Sequence, residues 1–258
     1  MRCRQETVGT SLAKTLPIAS EDLIQRRYYT DTAHKYDAMH LSPDDEHHVS
    51  LSYISAFVRQ LGLCTVLDVG CGTGRAAAYF RENNPDITVY GLDPVQDLLD
   101  ACVKKGIPKD CLVRGSGLFL PFKSNSFDAV LECGVLHHVR DPGSVVNEML
   151  RVARTAVFLS DSNIFAQGRH SLRRLKLFLY KLGLWRYVKL LQTGGTGYTL
   201  SKGDGVSYSY SVYFQHNRLN EWAKRVFAIP IRATKDTAPS SWSPVLTGDT
   251  VLLCAIRD

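Results

Sequence analysis

The stretch Val66-Leu67-Asp68-Val69-Gly70-Cys71-Gly72-Thr73-Gly74 constrains this chain more than any other. A short apolar run stops abruptly in three glycines set one residue apart. An apolar run bounded by glycines reads as a buried strand that ends in a tight loop. Arg75-Ala76-Ala77-Ala78-Tyr79-Phe80 follows and is rich in helix formers, so the unit is strand, glycine loop, helix. Glycine permits a positive φ and lets a ligand approach the backbone closely. The first N–H groups of the helix then suit an anionic group. Taken alone, the stretch is also what a plain glycine-rich turn between strand and helix looks like.

A second apolar and β-branched run, Thr88-Val89-Tyr90-Gly91-Leu92-Asp93-Pro94, ends in an acid nineteen residues after Gly74. In nucleotide-binding α/β units, an acid about 20 residues past the glycine loop takes the ribose hydroxyls. The dinucleotide fingerprint spaces its glycines G-x-G-x-x-G. Here they stand at 70, 72 and 74, with Arg75 next. That spacing argues against an NAD-dependent oxidoreductase.

The Asp-x-Gly-x-Gly-x-Gly pattern from Asp68 resembles the first motif of the class I S-adenosylmethionine-dependent methyltransferases, and Leu92-Asp93-Pro94 resembles their second. Phe127-Asp128-Ala129-Val130, followed by Val135-Leu136-His137-His138-Val139, resembles the fourth. The similarity covers roughly residues 33–163 and is to the small-molecule, quinone-biosynthesis-like branch. The resemblance implies a Rossmann-like α/β fold: a seven-stranded mixed sheet, mostly parallel with an antiparallel C-terminal strand, and helices on both faces. It implies S-adenosyl-L-methionine as cofactor, held by Asp68, Gly70, Cys71, Gly72, Thr73, Gly74, Asp93, Pro94, Ser116, Gly117, Leu118 and Cys133. Tyr36, in the aromatic–acid pair Tyr36-Asp37, would belong to an N-terminal helix that covers the cofactor. The family's third loop usually carries Asp where Ser116 stands; that acid accepts a hydrogen bond from the adenine amino group, and Ser116 can still accept one more weakly. Leu118 would pack on the adenine face.

Residues 1–62 read as an N-terminal helical cap segment and 63–258 as the methyltransferase domain. A helix is expected from Ser20, with Tyr28 and Tyr29 near its end. Ser42-Pro43-Asp44-Asp45-Glu46 reads as a second helix start, with Ser42 as N-cap and Pro43 at N1, running to Gly62. The acids and histidines at 44–48 read as capping and solvated charge, because adjacent helical residues point in different directions. No residue set with metal-ligand spacing is apparent, so no metal is expected. Five strands are expected at 66–69, 88–93, 111–114, 126–133 and 155–161, then a helix over Leu219–Val226 and two more strands at 229–234 and 251–256.

Residues 164–216 read as a helical insertion after strand 5, a lid over the substrate. Leu172, Leu175, Leu179 and Leu182 form an apolar stripe, with Arg173, Arg174, Lys176 and Lys181 free to meet an anion or water. Tyr208 to Tyr213 alternates like a strand, with Tyr208 and Tyr210 on one face.

Net charge is +6, compatible with an anionic substrate or a nucleic acid; the missing polybasic run argues against nucleic acid. Seven unpatterned cysteines suit reduced thiols in a cytoplasmic protein. No apolar run is long enough to span a membrane, which leaves only the basic insertion as a route to a membrane surface. The expected function is methyl transfer from S-adenosylmethionine to a small or medium-sized metabolite, aromatic or anionic. His137 and His138 are the candidate bases, should the acceptor lose a proton. The competing readings are a methyltransferase for RNA or protein, and a cofactor-binding module that has lost catalysis.

Overall fold

The computed structural model describes residues 20–37, 45–201, 203–233 and 243–257. The sequence-based helix start at Ser42–Asp44 and the N-terminal nineteen residues lie outside these. The elements, in order, are α1 (Ser20–Thr32), α2 (Glu46–Gln60), β1 (Thr65–Val69), α3 (Arg75–Asn83), β2 (Thr88–Asp93), α4 (Gln96–Lys104), β3 (Leu112–Arg114), β4 (Phe127–Cys133), α5 (Pro142–Val152) and β5 (Ala153–Ser162). An insertion follows with α6 (His170–Lys181), α7 (Trp185–Gln192), β6 (Tyr198–Ser201) and β7 (Gly205–Tyr208). The chain closes with α8 (His216–Trp222), β8 (Arg225–Ala233), α9 (Pro244–Thr247) and β9 (Gly248–Ile256).

Seven strands form one sheet in the order β3-β2-β1-β4-β5-β9-β8. The first five run parallel, and β9 is antiparallel to both β5 and β8. Parallel strands need crossovers, which the helices supply, and helices on both faces demand strands that are apolar on both. Val66, Leu67, Val130, Leu131, Val157 and Phe158 are buried accordingly. Two core clusters result, one on each face: Leu67, Phe127, Met149 and Leu253 in one, and Ile54, Phe80, Ala129 and Phe158 in the other. The strand order reverses between β1 and β4, and at such a switch point ligands bind beyond the carboxyl ends of the strands.

Four sequence-based expectations change. Helix α2 is capped by Asp45, whose carboxylate accepts from the His48 N–H at 2.7 Å. The helix placed over Leu219–Val226 ends at Trp222, and Val226 instead pairs with Ala255 in the last hairpin. The insertion is not wholly helical: β6 and β7 form an antiparallel hairpin that packs on α1. Tyr208 and Tyr210 do not share a strand face. Tyr208 ends the hairpin and donates its hydroxyl to Glu21. Beyond it the chain turns inward, with Ser211 bridging to Asn163, and Tyr210 enters the main core. Among the cysteines, Cys71, Cys102, Cys111, Cys133 and Cys254 are free thiols, as a reduced set requires, but Cys64 is disulfide-bonded.

Candidate active site

The glycine loop leaves β1 and enters α3 through left-handed backbone at Gly70, Gly72 and Gly74. At Gly74 a Cβ would run into Ile107 Cδ1, and at Gly70 into Val135. Both positions therefore need glycine for room as well as for φ. Asp93, at the end of β2, fastens the loop: one carboxylate oxygen accepts from Gly72 N–H at 3.0 Å, the other from Val95 N–H at 2.8 Å. Burial pushes its carboxyl up to about 6, against those two hydrogen bonds, which pull it down.

A cleft opens above the loop. Of the sequence-predicted residues, Tyr36, Gly70, Gly72, Asp93, Pro94, Ser116, Gly117, Leu118, Cys133 and His138 line it. Asp68, Cys71 and Thr73 do not; they line a small adjoining recess with Gly70, Gly72, Cys133, Tyr36 and Arg75. Gly74 and His137 line neither. Ser116 Oγ accepts from Leu118 N–H at 3.3 Å, so the hydroxyl in the family acid's place also shapes its own loop.

Asp68 is 5 % exposed, and its carboxylate makes no hydrogen bond among the described residues. Burial, with the Asp93 charge adding and Arg75 subtracting, pushes it up to about 7. A buried carboxylate without a partner costs free energy, and one that opens into a recess calls for a cation or donor there. A ligand carrying an ammonium group fits that demand, and one carrying a ribose fits Asp93.

The N-terminal segment closes the cleft, with Asp22, Gln25, Arg26 and Tyr29 on α1 joining its lining. The Tyr36 ring lies within 4 Å of the Cβ position at Gly72. Its neighbour Asp37 accepts from the Thr73 hydroxyl at 2.6 Å and pairs with Lys105 at 2.5 Å. Gln25 Oε1 accepts from Val206 N–H at 2.5 Å, which ties α1 to the hairpin. Burial pushes the Tyr36 phenol up to about 12, so it stays a neutral donor.

A second, polar cleft lies on the other side of Tyr29, Tyr36, Cys133, Gly134 and His138, which line both. His47, Arg75, His137, Asp161, Asp204 and Arg232 are among its other walls. His137 Nδ1 donates to Asp161 at 2.7 Å, and its Nε2 stands 3.4 Å from Asp204. Although burial opposes it, the two carboxylates push His137 up to about 10, which makes it an imidazolium at neutral pH rather than the base expected of it. His138 Nδ1 donates to the Val206 carbonyl at 2.5 Å. Its Nε2 lies 3.1 Å from the Tyr29 hydroxyl and 3.3 Å from Asp204.

Ligand atoms of His137, His138 and Asp204 lie within 4.8 Å of one another, so the three could hold a metal ion, a set no sequence spacing displays. His47, assigned from sequence to solvated charge, is half-buried against Gly134, where a Cβ would lie 2.6 Å from its ring. Tyr29, His47, Asp161 and Asp204 received no site role from the sequence. Only Asp204 carried a signal: it is the sole acid between Asp161 and Glu221, set between two glycines.

Residues 67–159 match the family model described as a methyltransferase domain. Over these residues the chain is similar to methyltransferase domains. Around that domain the chain is 34 % identical over 144 residues to an uncharacterized methyltransferase of Mycobacterium sp. (strain KMS), covering 56 % of this chain and 54 % of the relative. It is 33 % identical over 119 residues to a demethylmenaquinone methyltransferase of Roseiflexus sp. (strain RS-1), covering 44 % and 48 %. The chain spans between a third and about half of the length of the curated relatives it matches. A crystal structure from Thermotoga maritima, a S-adenosylmethionine-dependent methyltransferase described as a possible histamine N-methyltransferase, shares the fold. It aligns with a TM-score of 0.56 at 16 % identity over 92 % of this chain and 99 % of that one. Gly70, Gly72, Asp93, Pro94 and His138 thus lie on one cleft of a fold that this methyltransferase shares.

Proposed function

We propose that this protein is an S-adenosylmethionine-dependent methyltransferase whose acceptor is a small or medium-sized molecule bound in the polar cleft beside His137. The observation that carries this reading is the wall shared by the two clefts. A cofactor seated over Gly70–Gly74 and an acceptor beside His137 would face each other across Tyr29, Tyr36, Cys133, Gly134 and His138. S-adenosylmethionine supplies a methyl group already activated by a sulfonium, so the protein's task is to position the acceptor and exclude water.

Asp93 is placed to accept from ribose hydroxyls and Asp68 to accept from an ammonium group. Tyr29 and Tyr36, edge to face at 5.9 Å, shut water out. Where the acceptor releases a proton, His138 is the imidazole at the shared wall, held by the Val206 carbonyl and Asp204. His137, held between Asp161 and Asp204, lines the acceptor cleft as a fixed hydrogen-bond donor.

Residues 164–216 select the acceptor in this account: Trp185, Lys189, Tyr198 and Asp204 line a further cleft that continues to His137. The test is transfer of radiolabelled methyl from S-adenosylmethionine in fractionated cell extract. Label is expected in the small-molecule fraction. Label confined to protein or RNA would contradict the proposed acceptor class.

A further inference from the structure

The insertion departs from the rest of the chain in charge. Between Asp161 and Asp204 there is no Asp or Glu, yet the stretch holds eight Lys and Arg. The whole chain carries only +6, so this one segment accounts for more than the entire net positive charge.

It also departs in how it buries its apolar residues. The sequence stripe of α6 suggests leucines turned inward. The structure turns them out. Leu172, Leu175, Phe178 and Leu182 are exposed, Phe178 to 58 %, and recur at three- and four-residue spacing along one side of the helix. The inner side is held by Tyr180 stacked on Phe214 at 4.8 Å and by two cations. Arg173 is buried and donates to the Gly168 carbonyl at 2.7 Å, and Lys176 donates to the Ile164 and Gln167 carbonyls. These contacts fix the rotation of α6, so its apolar side cannot turn to the core. Helix α7, next in the chain, exposes Tyr187 and Leu191, the latter to 84 %. Arg169, Arg174, Lys181 and Arg186 stand exposed on and around the two helices.

A monomer rarely exposes so many large apolar side chains on two consecutive helices without a partner. We infer that the outward face of α6 and α7 docks this protein on an anionic lipid bilayer, lying in the headgroup plane with its leucines below and its arginines and lysines at the phosphates. No helix among the described residues is long and apolar enough to cross a membrane, so the contact is surface docking, the mode of a basic amphipathic helix. Charge decides against a second copy: that pairing would press two basic, acid-free segments together. Charge also favours an anionic over a neutral surface, because each Lys or Arg at the surface adds roughly a factor of five to partitioning. The face belongs to the same two helices whose Trp185 and Lys189 line the cleft leading to His137. An acceptor drawn from the bilayer would be an amphiphile; that corollary rests on the methyl-transfer reading, whereas the docking does not.

The test is co-sedimentation of the full chain with phosphatidylcholine vesicles and with vesicles in which about a third of the lipid is phosphatidylglycerol, at low and high salt. Binding should be about tenfold or more stronger on the anionic vesicles and should fall with salt. Phe178→Glu/Leu182→Glu and, separately, Arg174→Glu/Lys181→Glu should each weaken it by about tenfold or more. All four residues are exposed, and S-adenosylmethionine affinity measured by calorimetry should stay within about twofold. No binding to anionic vesicles would overturn the proposal, as would undiminished binding by both variants. So would a dimer, seen by sedimentation velocity, that the Phe178→Glu/Leu182→Glu pair abolishes while vesicles go unbound. Loss of cofactor binding in the wild type would count against the methyl-transfer reading and leave the docking result standing.

Discussion

Replacing Asp68 by Asn should stabilise the cofactor-free protein while weakening its hold on the cofactor. The carboxyl is buried, lacks a hydrogen bond among the described residues, and titrates near 7 rather than near 4. Its burial, the largest cause, and the neighbouring Asp93 charge both oppose ionisation. Each pKa unit corresponds to about 1.4 kcal/mol, so keeping this carboxylate ionised costs the empty protein on the order of 4 kcal/mol at most. An Asn amide in the same place leaves its own hydrogen bonds unmade, which takes back about 1–3 kcal/mol. A net gain of about 1–3 kcal/mol remains at pH 8. The sign follows from linkage. The folded-state value lies above the unfolded one, so wild-type stability from this group is full below about pH 4 and is lost as pH rises to about 7. The variant lacks that slope, and its advantage should shrink between pH 8 and pH 5. Urea unfolding of cofactor-free wild type and variant at the two pH values measures it, with midpoints compared at equal m-value. A variant less stable than wild type by the same amount at both pH values would refute the reasoning. So would an unchanged affinity for S-adenosylmethionine.

Asp93→Ala should weaken S-adenosylmethionine binding several-fold to about a hundredfold in calorimetry, since a charge-assisted hydrogen bond is worth about 1.5–3 kcal/mol; part of that loss comes through Gly72, whose N–H loses its acceptor. Gly74→Ala should lower the unfolding midpoint, because the new Cβ meets both a left-handed φ and Ile107, a strain of about 1–3 kcal/mol. His137→Gln should cut turnover by about tenfold or more and leave cofactor affinity nearly unchanged, because His137 lines the acceptor cleft only. Replacing residues 170–196 by a flexible linker should abolish turnover of the native acceptor and spare cofactor binding. The excision must stop there, since Val206, Tyr210 and Val212 belong to the core.

The parallel sheet was legible because buried strands write themselves as uninterrupted apolar runs, and the glycine loop because close packing against Val135 and Ile107 leaves room for no side chain. Asp93 was legible through its distance from that loop. The acceptor side was not. Its walls come from α1, the start of α2, the end of β5 and the hairpin turn at Asp204, segments joined only by the fold. His47 sat inside a charged helix start that looked solvated, and nothing local marks it as half-buried. Arg173 and Lys176 were misread for a related reason: charge suggested water or an anion, but both reach carbonyls that only the tertiary structure brings near. Asp45 suits the cap of α2 by residue type, but only the backbone path assigns it that place.

The most direct test of the account is titration calorimetry of the purified chain with S-adenosylmethionine, its demethylated product S-adenosylhomocysteine, and NAD. The account predicts saturable one-to-one binding of the first two, weakened by Asp68→Asn and by Asp93→Ala, and no binding of NAD. Tight NAD binding with no response to S-adenosylmethionine would contradict it.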